Sequence, residues 1–299
     1  MLVRFTDPSV FVARDNRFYV ESALDRFIES AGFSEAMLLR SPAGVGKTDA
    51  IEHYAFKNNH LLIRFSCTEQ TDDRHLLGSM TMEDGATLFS AGALLTAVHL
   101  ANENFKNGDP VGVILFLDEI NTLTPEAQKY LNPLMDGTGS VVARTGVAER
   151  LLPGAKLWVV AAANPNYAGT YSLNPDLLSR FPIIQDVPYL DTATESDIVT
   201  RILRDAGRKE PVGLSNTQFA NGLVMLAAET RSGVRPTGDA RKFSWTLSTR
   251  DLVATAKLSA RGDTFALQLL ANKFSAADRQ DVAARIKSAL NIDIGKGAL

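Results

Sequence analysis

The sequence contains almost no cysteine, and this scarcity excludes two kinds of stabilising site. Cys67 is the only cysteine among the 299 residues, so neither an internal disulfide nor a zinc cluster built from several cysteines is possible. The four histidines are scattered along the chain and form no HExxH or similar ligand pair. We therefore expect a fold that is held together by its hydrophobic core alone.

Long apolar runs and an excess of basic charge are also absent. No apolar run approaches the roughly 18 residues that a membrane helix needs, and the opening MLVRFTDPSV lacks the pattern of a secretory signal. The net charge is −3, from 31 Lys and Arg against 34 Asp and Glu, so the total charge does not argue for a nucleic-acid partner. We expect a cytoplasmic protein that makes no membrane contact.

What the chain does contain is the composition of an ordinary globular protein, with 45% hydrophobic and 22% charged residues. Short apolar runs at residues 36–40, 61–65, 111–117, 157–163 and 182–187, with helical stretches between them, predict an α/β fold with a five-stranded parallel sheet. Beyond residue 190 only helical periodicity remains. The sequence therefore predicts an α/β core over residues 1–190 and a helical lid domain over residues 191–299.

Three connecting segments carry weaker signals. Residues 69–87 are polar and include two glycines, which favours an exposed loop, and residues 88–106 show helical spacing. Residues 140–152 favour a hairpin around Thr145 and Gly146. A long basic stretch at residues 231–242 interrupts the helical part.

A phosphate-binding pattern lies between the apolar run 36–40 and a helical stretch. In the P-loop pattern G-x-x-x-x-G-K-[ST], glycines let backbone amides point inward at the positive end of the following helix. Lys47 would reach the β- and γ-phosphates of a nucleotide, and Thr48 would ligate Mg²⁺. With ATP and Mg²⁺ as the predicted cofactors, the expected contact residues are Ser41, Pro42, Ala43, Gly44, Val45, Gly46, Lys47 and Thr48.

The first position of this pattern departs from the usual residue. Ser41 stands where the pattern has a glycine, and serine resists a positive φ. We therefore expect a slightly altered entry to the loop and a reduced nucleotide affinity. A chance lysine in a glycine-containing turn is the alternative interpretation.

An acidic pair follows the strongest strand signal of the chain, Val111–Leu117. A carboxylate at the C-terminal end of a buried strand lies where α/β sheets bind their ligands. Asp118 would hold Mg²⁺ through its water shell, and Glu119 would orient or deprotonate the attacking water. The alternative, an acidic pair that merely ends a strand, is disfavoured by the P-loop that precedes it.

Further short motifs carry a resemblance to a known family. They are Thr71-Asp72-x-x-x-Leu76-Leu77-Gly78, Leu88-Phe89-x-x-Gly92-Ala93-Leu94-Leu95-x-Ala97, Asp118-Glu119-Ile120-Asn121, Ala163-Asn164-Pro165, Leu177-Leu178-Ser179-Arg180-Phe181 and Leu247-Ser248-Thr249-Arg250-Asp251. With the P-loop, this order resembles the AAA+ ATPases. Within them it is similar to the MoxR-type branch of CbbQ/NorQ and GvpN activators, cobaltochelatase-type ATPases and dynein-related ATPases, although Ala93 replaces that branch's usual proline.

The resemblance implies roles for three more polar residues. Asn164 would be sensor 1, which contacts the attacking water or the γ-phosphate, and Arg180 would be an arginine finger that reaches a neighbouring subunit's site. Arg250 would be sensor 2 in the lid. The alternative interpretations of Asn164, Arg180 and Arg250 are, respectively, a strand-end turn, a helix-end ion pair and a solvated helix face. Three arginines of the basic stretch are also candidates for the sensor 2 role or for contacts across the subunit interface: Arg231, Arg235 and Arg241.

The resemblance also implies partners. A finger that acts in trans requires a ring, or at least a dimer, of copies of this chain, and the family implies six subunits. It suggests a remodelling ATPase whose protein client carries a von Willebrand A-type domain. The loops at Ser79–Thr87 and Arg144–Arg150 would contact this client. The alternative interpretation is that both segments are plain solvent loops. A nucleic-acid motor, supported only by local basic residues, and a nucleotide-gated assembly protein with little turnover are the less favoured hypotheses.

Overall fold

A computed structural model of the chain describes residues 2–16, 19–83, 85–165, 169–211, 213–232 and 243–295. The strands are β1 (Leu2–Arg4), β2 (Met37–Arg40), β3 (Leu61–Ser66), β4 (Gly78–Glu83), β5 (Ala86–Ala91), β6 (Val113–Asp118), β7 (Ser140–Val142), β8 (Ala148–Arg150), β9 (Leu157–Ala163) and β10 (Ile183–Asp186). The α-helices are α1 (Ala23–Ala31), α2 (Lys47–Lys57), α3 (Asp73–Leu76), α4 (Ala93–Lys106), α5 (Pro125–Gln128), α6 (Asn132–Met135), α7 (Pro175–Leu178), α8 (Thr192–Asp205), α9 (Asn216–Ser232), α10 (Thr249–Leu258), α11 (Asp263–Ala271) and α12 (Ala276–Leu290). Short 3-10 turns lie at Pro8–Phe11, Ile120–Thr122, Lys129–Leu131 and Ser259–Arg261.

The five-stranded sheet has the order β10-β2-β9-β6-β3, and all of its strand pairs are parallel. Side chains alternate between the faces of a strand, and both sets are buried in β6: Leu115 and Leu117 join a core with α4, while Ile114 and Phe116 point the other way. The predicted α/β class with a parallel five-stranded sheet is therefore confirmed. Because the strands are parallel, the segments that follow β2, β6 and β9 leave from one edge of the sheet.

A second sheet contradicts the loop and helix expected over residues 69–106. Its order is β1-β5-β4, with β5 parallel to β1 and antiparallel to β4. Helix α4 begins at Ala93 instead of residue 88. Phe89 is fully buried, whereas Met82, on the same face but nearer the β4–β5 turn, is exposed, so this face is covered only at the end away from the turn.

The predicted hairpin around Gly146 is confirmed, since β7 and β8 pair antiparallel on either side of it. Asn102 on α4 fixes the end of this hairpin. Its Nδ2 donates to the Arg150 carbonyl at 2.9 Å, and its Oδ1 accepts from the backbone N–H of Leu152 at 2.9 Å. The buried amide thus pairs two backbone groups that have no partner in the short hairpin ladder.

The described chain divides into two units, and each has its own core. The α/β unit is formed mainly by Lys47–Val187, and the helical unit mainly by the chain from Pro188 onward. In the helical unit, apolar residues of α9, α10, α11 and α12 converge, among them Phe219, Leu252, Leu267 and Val282. Among the described helices, none combines the length and the apolar character that crossing a membrane requires.

Candidate functional site

The P-loop connects β2 to α2, as the sequence predicts. Lys47 is the first residue of α2, and its largely buried ammonium donates a hydrogen bond to the buried hydroxyl of Ser41. Ser41 is anchored in turn because its N–H donates to the Ala163 carbonyl of the neighbouring strand β9 at 3.1 Å. A hydrogen bond between the side chains of Ser41 and Lys47 therefore joins the two ends of the loop.

The backbone conformation of the loop does not require a positive φ at Ser41. Gly44 and Gly46 have φ values of 75° and 92°, a region that favours glycine, whereas Ser41 is not among the described residues with a positive φ. The expected strain at the loop entry does not arise, because the left-handed conformations fall on the two glycines that the chain retains. The other P-loop residues, Pro42, Ala43 and Val45, lie between these positions.

Thr48 and Asp118 are brought together from segments that are 70 residues apart. The Thr48 hydroxyl lies 3.3 Å from Asp118 Oδ2, at the C-terminal end of β6. The same carboxylate oxygen accepts a hydrogen bond from the Arg64 Nη2 of β3 at 3.0 Å. A hydroxyl, a carboxylate and a guanidinium therefore meet at one point at the edge of the sheet.

Glu119 adopts an unusual backbone conformation. Its φ and ψ are 57° and 40°, the left-handed region, which costs a non-glycine residue of order 1 kcal/mol or more. The Glu119 carbonyl accepts hydrogen bonds from the N–H and the hydroxyl of Thr122, both at 2.8 Å, so the following turn holds this conformation. The exposed Glu119 side chain thus leaves the end of β6 at an angle that a regular strand would not give.

Asn164 follows β9 directly, and a second asparagine holds it. The buried Asn121 side chain donates to the Asn164 carbonyl at 2.9 Å and accepts from its N–H at 3.2 Å. The Asn121 carbonyl in turn accepts from Tyr171 N–H at 2.7 Å. The ends of β6 and β9 are thereby tied together beside Glu119.

Arg180 lies between α7 and β10 and is half-buried. Its Nε atom is enclosed and has no hydrogen-bond partner within the described part of the chain. A cavity of about 510 Å³ is lined by Arg180 together with Asp136, Trp158 and others. Hydrogen bonds from Thr138 lower the pKa of Asp136, and the charge of Arg180 adds to that effect. Among the described hydrogen bonds and ion pairs of the α/β unit, none joins Arg180 to this chain's own Lys47 or Asp118.

Arg250 is exposed on the first turn of α10 in the helical unit. Arg231, also a candidate for the sensor 2 role, is bound elsewhere: its guanidinium forms a two-pronged ion pair with the buried Glu195, with both distances 2.8 Å. It also lies 3.9 Å from the centre of the Tyr189 ring. Arg231 is therefore an internal structural residue. Arg235 and Arg241 of the basic stretch lie outside the described residues.

The two segments expected to contact a client take different forms. Met80 and Met82 lie on strand β4 with partly or largely exposed side chains, so they belong to a sheet and not to a loop. Arg144, at the tip of the β7–β8 hairpin, pairs with Asp73 at 2.8 Å and donates to the Tyr130 hydroxyl at 3.2 Å. The hairpin tip is therefore tied back to the α/β unit.

Comparison with known proteins identifies the family. Residues 36–181 match the model of the AAA domain, dynein-related subfamily. The chain is 32% identical over 169 residues to an uncharacterized protein of Staphylococcus saprophyticus (54% of this chain, 59% of the relative). It is 30% identical over 202 residues to one of Staphylococcus epidermidis (66% and 68%). It is 28% identical over 228 residues to protein NorQ of Paracoccus denitrificans (76% and 74%).

The chain belongs to the AAA+ family, in its MoxR-type branch. The resemblance inferred from the motifs is thus confirmed, and an AAA domain implies nucleotide binding. The match spans only 59% of the length of the S. saprophyticus protein, so the family assignment applies to the matched region.

The oxygen ligands at the end of β6 suit the Mg²⁺ that accompanies nucleotides in AAA+ proteins. Thr48 and Asp118 offer one hydroxyl and one carboxylate, and their oxygens are 3.3 Å apart. Mg²⁺ typically takes one or two protein ligands and completes its shell with water and phosphate oxygens. Among the described residues no group of three or more His, Cys, Asp or Glu could hold a metal ion.

Two residues of this AAA+ site carried no predicted role. Arg64 interrupts the apolar run Leu61–Phe65, and that charge inside a strand pattern was the available signal. Asn121 was part of the Asp-Glu-Ile-Asn motif, but its clamp on Asn164 joins residues 43 positions apart and leaves no local trace in the sequence.

Proposed function

We propose that the protein binds ATP with Mg²⁺ and hydrolyses it to ADP and phosphate, and that a ring of subunits uses this cycle to remodel or activate a protein partner. The observation that carries the proposal is the convergence of Thr48 on Asp118 at 3.3 Å, with Lys47 and Glu119 next to them in the chain. A hydroxyl and a carboxylate at one point of the sheet edge are the two protein ligands that Mg²⁺ bound to a nucleotide requires.

The binding roles follow from the chemistry of each group. The backbone amides of Ser41–Gly46 would hold phosphate oxygens, and Lys47 would exchange its contact with Ser41 for one with the β- and γ-phosphates. Thr48 and Asp118 would hold Mg²⁺, which supplies charge neutralisation on the phosphate oxygens when it is bound.

The hydrolytic roles fall to residues around the end of β6. Glu119 would accept a proton from the attacking water, whose oxygen bonds to the γ-phosphorus while the bond to ADP breaks. Its left-handed backbone supports this role, because strained conformations concentrate at functional sites. Asn164, fixed by Asn121, would orient the water or the γ-phosphate.

The remaining roles involve the helical unit and other subunits. Arg250, exposed on the first turn of α10, would act as sensor 2 in a lid domain that begins near residue 191. Arg180 would act in a neighbouring subunit's site, where a positive charge stabilises the transferring phosphoryl group. That requirement supports a closed head-to-tail ring, and we propose a hexamer.

The client is proposed from the family alone. A partner with a von Willebrand A-type domain is the protein class that the MoxR-type branch suggests. The exposed Met80 and Met82 on β4 supply a contact surface for it, because flexible methionines adapt to varied partners.

Phosphate release measured against protein concentration tests this proposal. We expect specific activity to rise with concentration for the wild type, because the site is completed in trans. Glu119→Gln and Arg180→Ala should both lose at least about 100-fold in activity. Mixing the two inactive variants should restore part of it, since each supplies the residue that the other lacks.

Two substitutions serve as matched controls. Glu126→Gln, in the first turn of α5, and Arg201→Ala, on α8, make the same charge changes at exposed positions outside the proposed site and should leave activity unchanged. A wild type that binds nucleotide but releases no phosphate at any concentration, even with candidate clients, would contradict hydrolysis and favour a nucleotide-gated assembly protein.

A further inference from the structure

Arg64 is placed by the parallel register of β3 and β6. Ser66 is the partner of Asp118 in this register. Residues two apart on a strand point to the same face, so Arg64 shares the face of Ser66 and Asp118. Its Nη2 atom lies 3.0 Å from Asp118 Oδ2, and the Thr48 hydroxyl lies 3.3 Å from that same oxygen. The guanidinium therefore binds the carboxylate oxygen that the proposed function gives to the metal.

A second carboxylate lies within reach of the same guanidinium. Arg64 Nη1 is 3.6 Å from Glu52 Oε1, on the helix that starts at Lys47. Burial raises the pKa of Glu52, and the charge of Arg64 opposes that effect. Arg64 thus lies between two carboxylates, and its distance to Asp118 is shorter than its distance to Glu52.

We propose that Arg64 is a built-in competitor of the divalent cation: it neutralises Asp118 until the cation binds and is then released to Glu52. A guanidinium in contact with Asp118 Oδ2 occupies a lone pair of that oxygen and repels an approaching dication. Arg64 therefore sets the Mg²⁺ concentration at which the nucleotide is held. This inference rests on the proposed function, because it concerns the same metal-binding carboxylate.

A simpler role for Arg64 would be to stabilise the sheet edge through an ion pair. The two roles differ in one observable. A purely structural ion pair changes the free energy of unfolding when it is removed, but it leaves the Mg²⁺ requirement of the folded protein unchanged. A competitor changes that requirement, and removing its second partner changes it in the opposite direction.

The experiment is a Mg²⁺ titration of fluorescent ADP binding to the full chain, with the half-saturating Mg²⁺ concentration as the readout. Arg64→Gln should lower this concentration roughly two- to fivefold, the range expected for a partly exposed ion pair. Glu52→Gln should raise it, because Arg64 then has Asp118 as its only acidic partner of the two. Arg201→Gln, which removes the arginine of an exposed ion pair on α8, should leave it unchanged.

Arg64→Lys covers the case in which Arg64→Gln does not fold. Lysine keeps the charge but lacks the rigid, forked guanidinium, so its contact with Asp118 is weaker and it too should lower the half-saturating Mg²⁺ concentration, by less than glutamine does. An unchanged or increased Mg²⁺ requirement in folded Arg64 variants would overturn the inference. If no variant and no wild type binds ADP at any Mg²⁺ concentration, the proposed function itself fails, and the two failures are thereby distinguished.

Discussion

The side chain of Asn121 holds the backbone of Asn164 at both of its polar groups, with hydrogen bonds of 2.9 and 3.2 Å. Asn121 lies two residues after Glu119, and Asn164 is the first residue after β9. A shift of either strand end therefore moves the other. The position of the proposed sensor residue is set by the loop that carries the proposed general base.

Replacing Asn121 by alanine should lower kcat for ATP hydrolysis by about tenfold or more with little change in KM. The substitution removes the side chain that positions the Asn164 backbone, while the P-loop and its phosphate contacts stay in place. It also removes two hydrogen bonds to a part-buried backbone segment, at about 1–3 kcal/mol of unfolding free energy. Steady-state kinetics and urea unfolding measure both effects.

Asn102→Ala is the matched control for that prediction. Asn102 makes the same pair of amide-to-backbone hydrogen bonds, to Arg150 and Leu152, away from the proposed site. It should lose comparable stability and keep its kcat. If Asn121→Ala and Asn102→Ala lose kcat equally, the Asn121 effect is one of stability alone.

The buried pair of Glu195 and Arg231 should make the helical unit sensitive to single substitutions at either residue. Glu195 is fully buried and also accepts a 2.6 Å hydrogen bond from the Thr249 hydroxyl. Arg231→Met leaves this carboxylate without its cation, at a cost of about 3–5 kcal/mol. The double variant Arg231→Met with Glu195→Leu should be less destabilised than Arg231→Met alone. Urea unfolding of the wild type and these two variants measures the difference. A double variant that is destabilised as much as Arg231→Met, or more, would contradict this coupling.

His60 should make the α/β unit sensitive to mild acid. Its Nδ1 accepts a hydrogen bond from Gly112 N–H at 3.0 Å, and burial, aided by Lys156, lowers its pKa. The folded state therefore favours the neutral ring. Its contribution to stability is present above the unfolded pKa of about 6.5 and is lost as the pH falls through the lower folded value.

Urea unfolding of the wild type and His60→Gln between pH 5 and pH 7.5 tests this dependence. Glutamine keeps an acceptor but does not titrate. The wild type should be the more stable protein at pH 7.5, and its advantage should shrink toward pH 5. An advantage that stays constant across this range would show that His60 does not titrate differently in the two states.

Cys67 should be inert in the folded protein. It is 1% exposed, and burial raises the pKa of its thiol, with the charges of Asp118 and Glu119 adding to the effect. Because the thiolate is the reactive form, a maleimide at pH 8 should label the unfolded chain and leave the native one unlabelled for hours. Rapid labelling of the native protein would mean that the segment after β3 opens readily.

The sequence predicted some of the strands correctly and missed others. The five strands of the main sheet and the β7–β8 hairpin were predictable because each has a local apolar pattern or a turn signal. The β4–β5 pair was predicted as a loop joined to a helix, although Asp84-Gly85 is a hairpin turn signal. Its strands are polar on the exposed face, and β5 gains its second neighbour from β1, more than 80 residues earlier.

The sequence by itself determined the family, the P-loop and the acidic pair, because these depend on residue types at fixed local spacing. Only the tertiary structure decided which groups meet across that spacing: Arg64 on Asp118, Asn121 on Asn164, and Lys47 on Ser41. The first two contacts exist because β3, β6 and β9 are neighbours in the sheet. Strand order is fixed by the packing of the whole core, and no short stretch of sequence contains it.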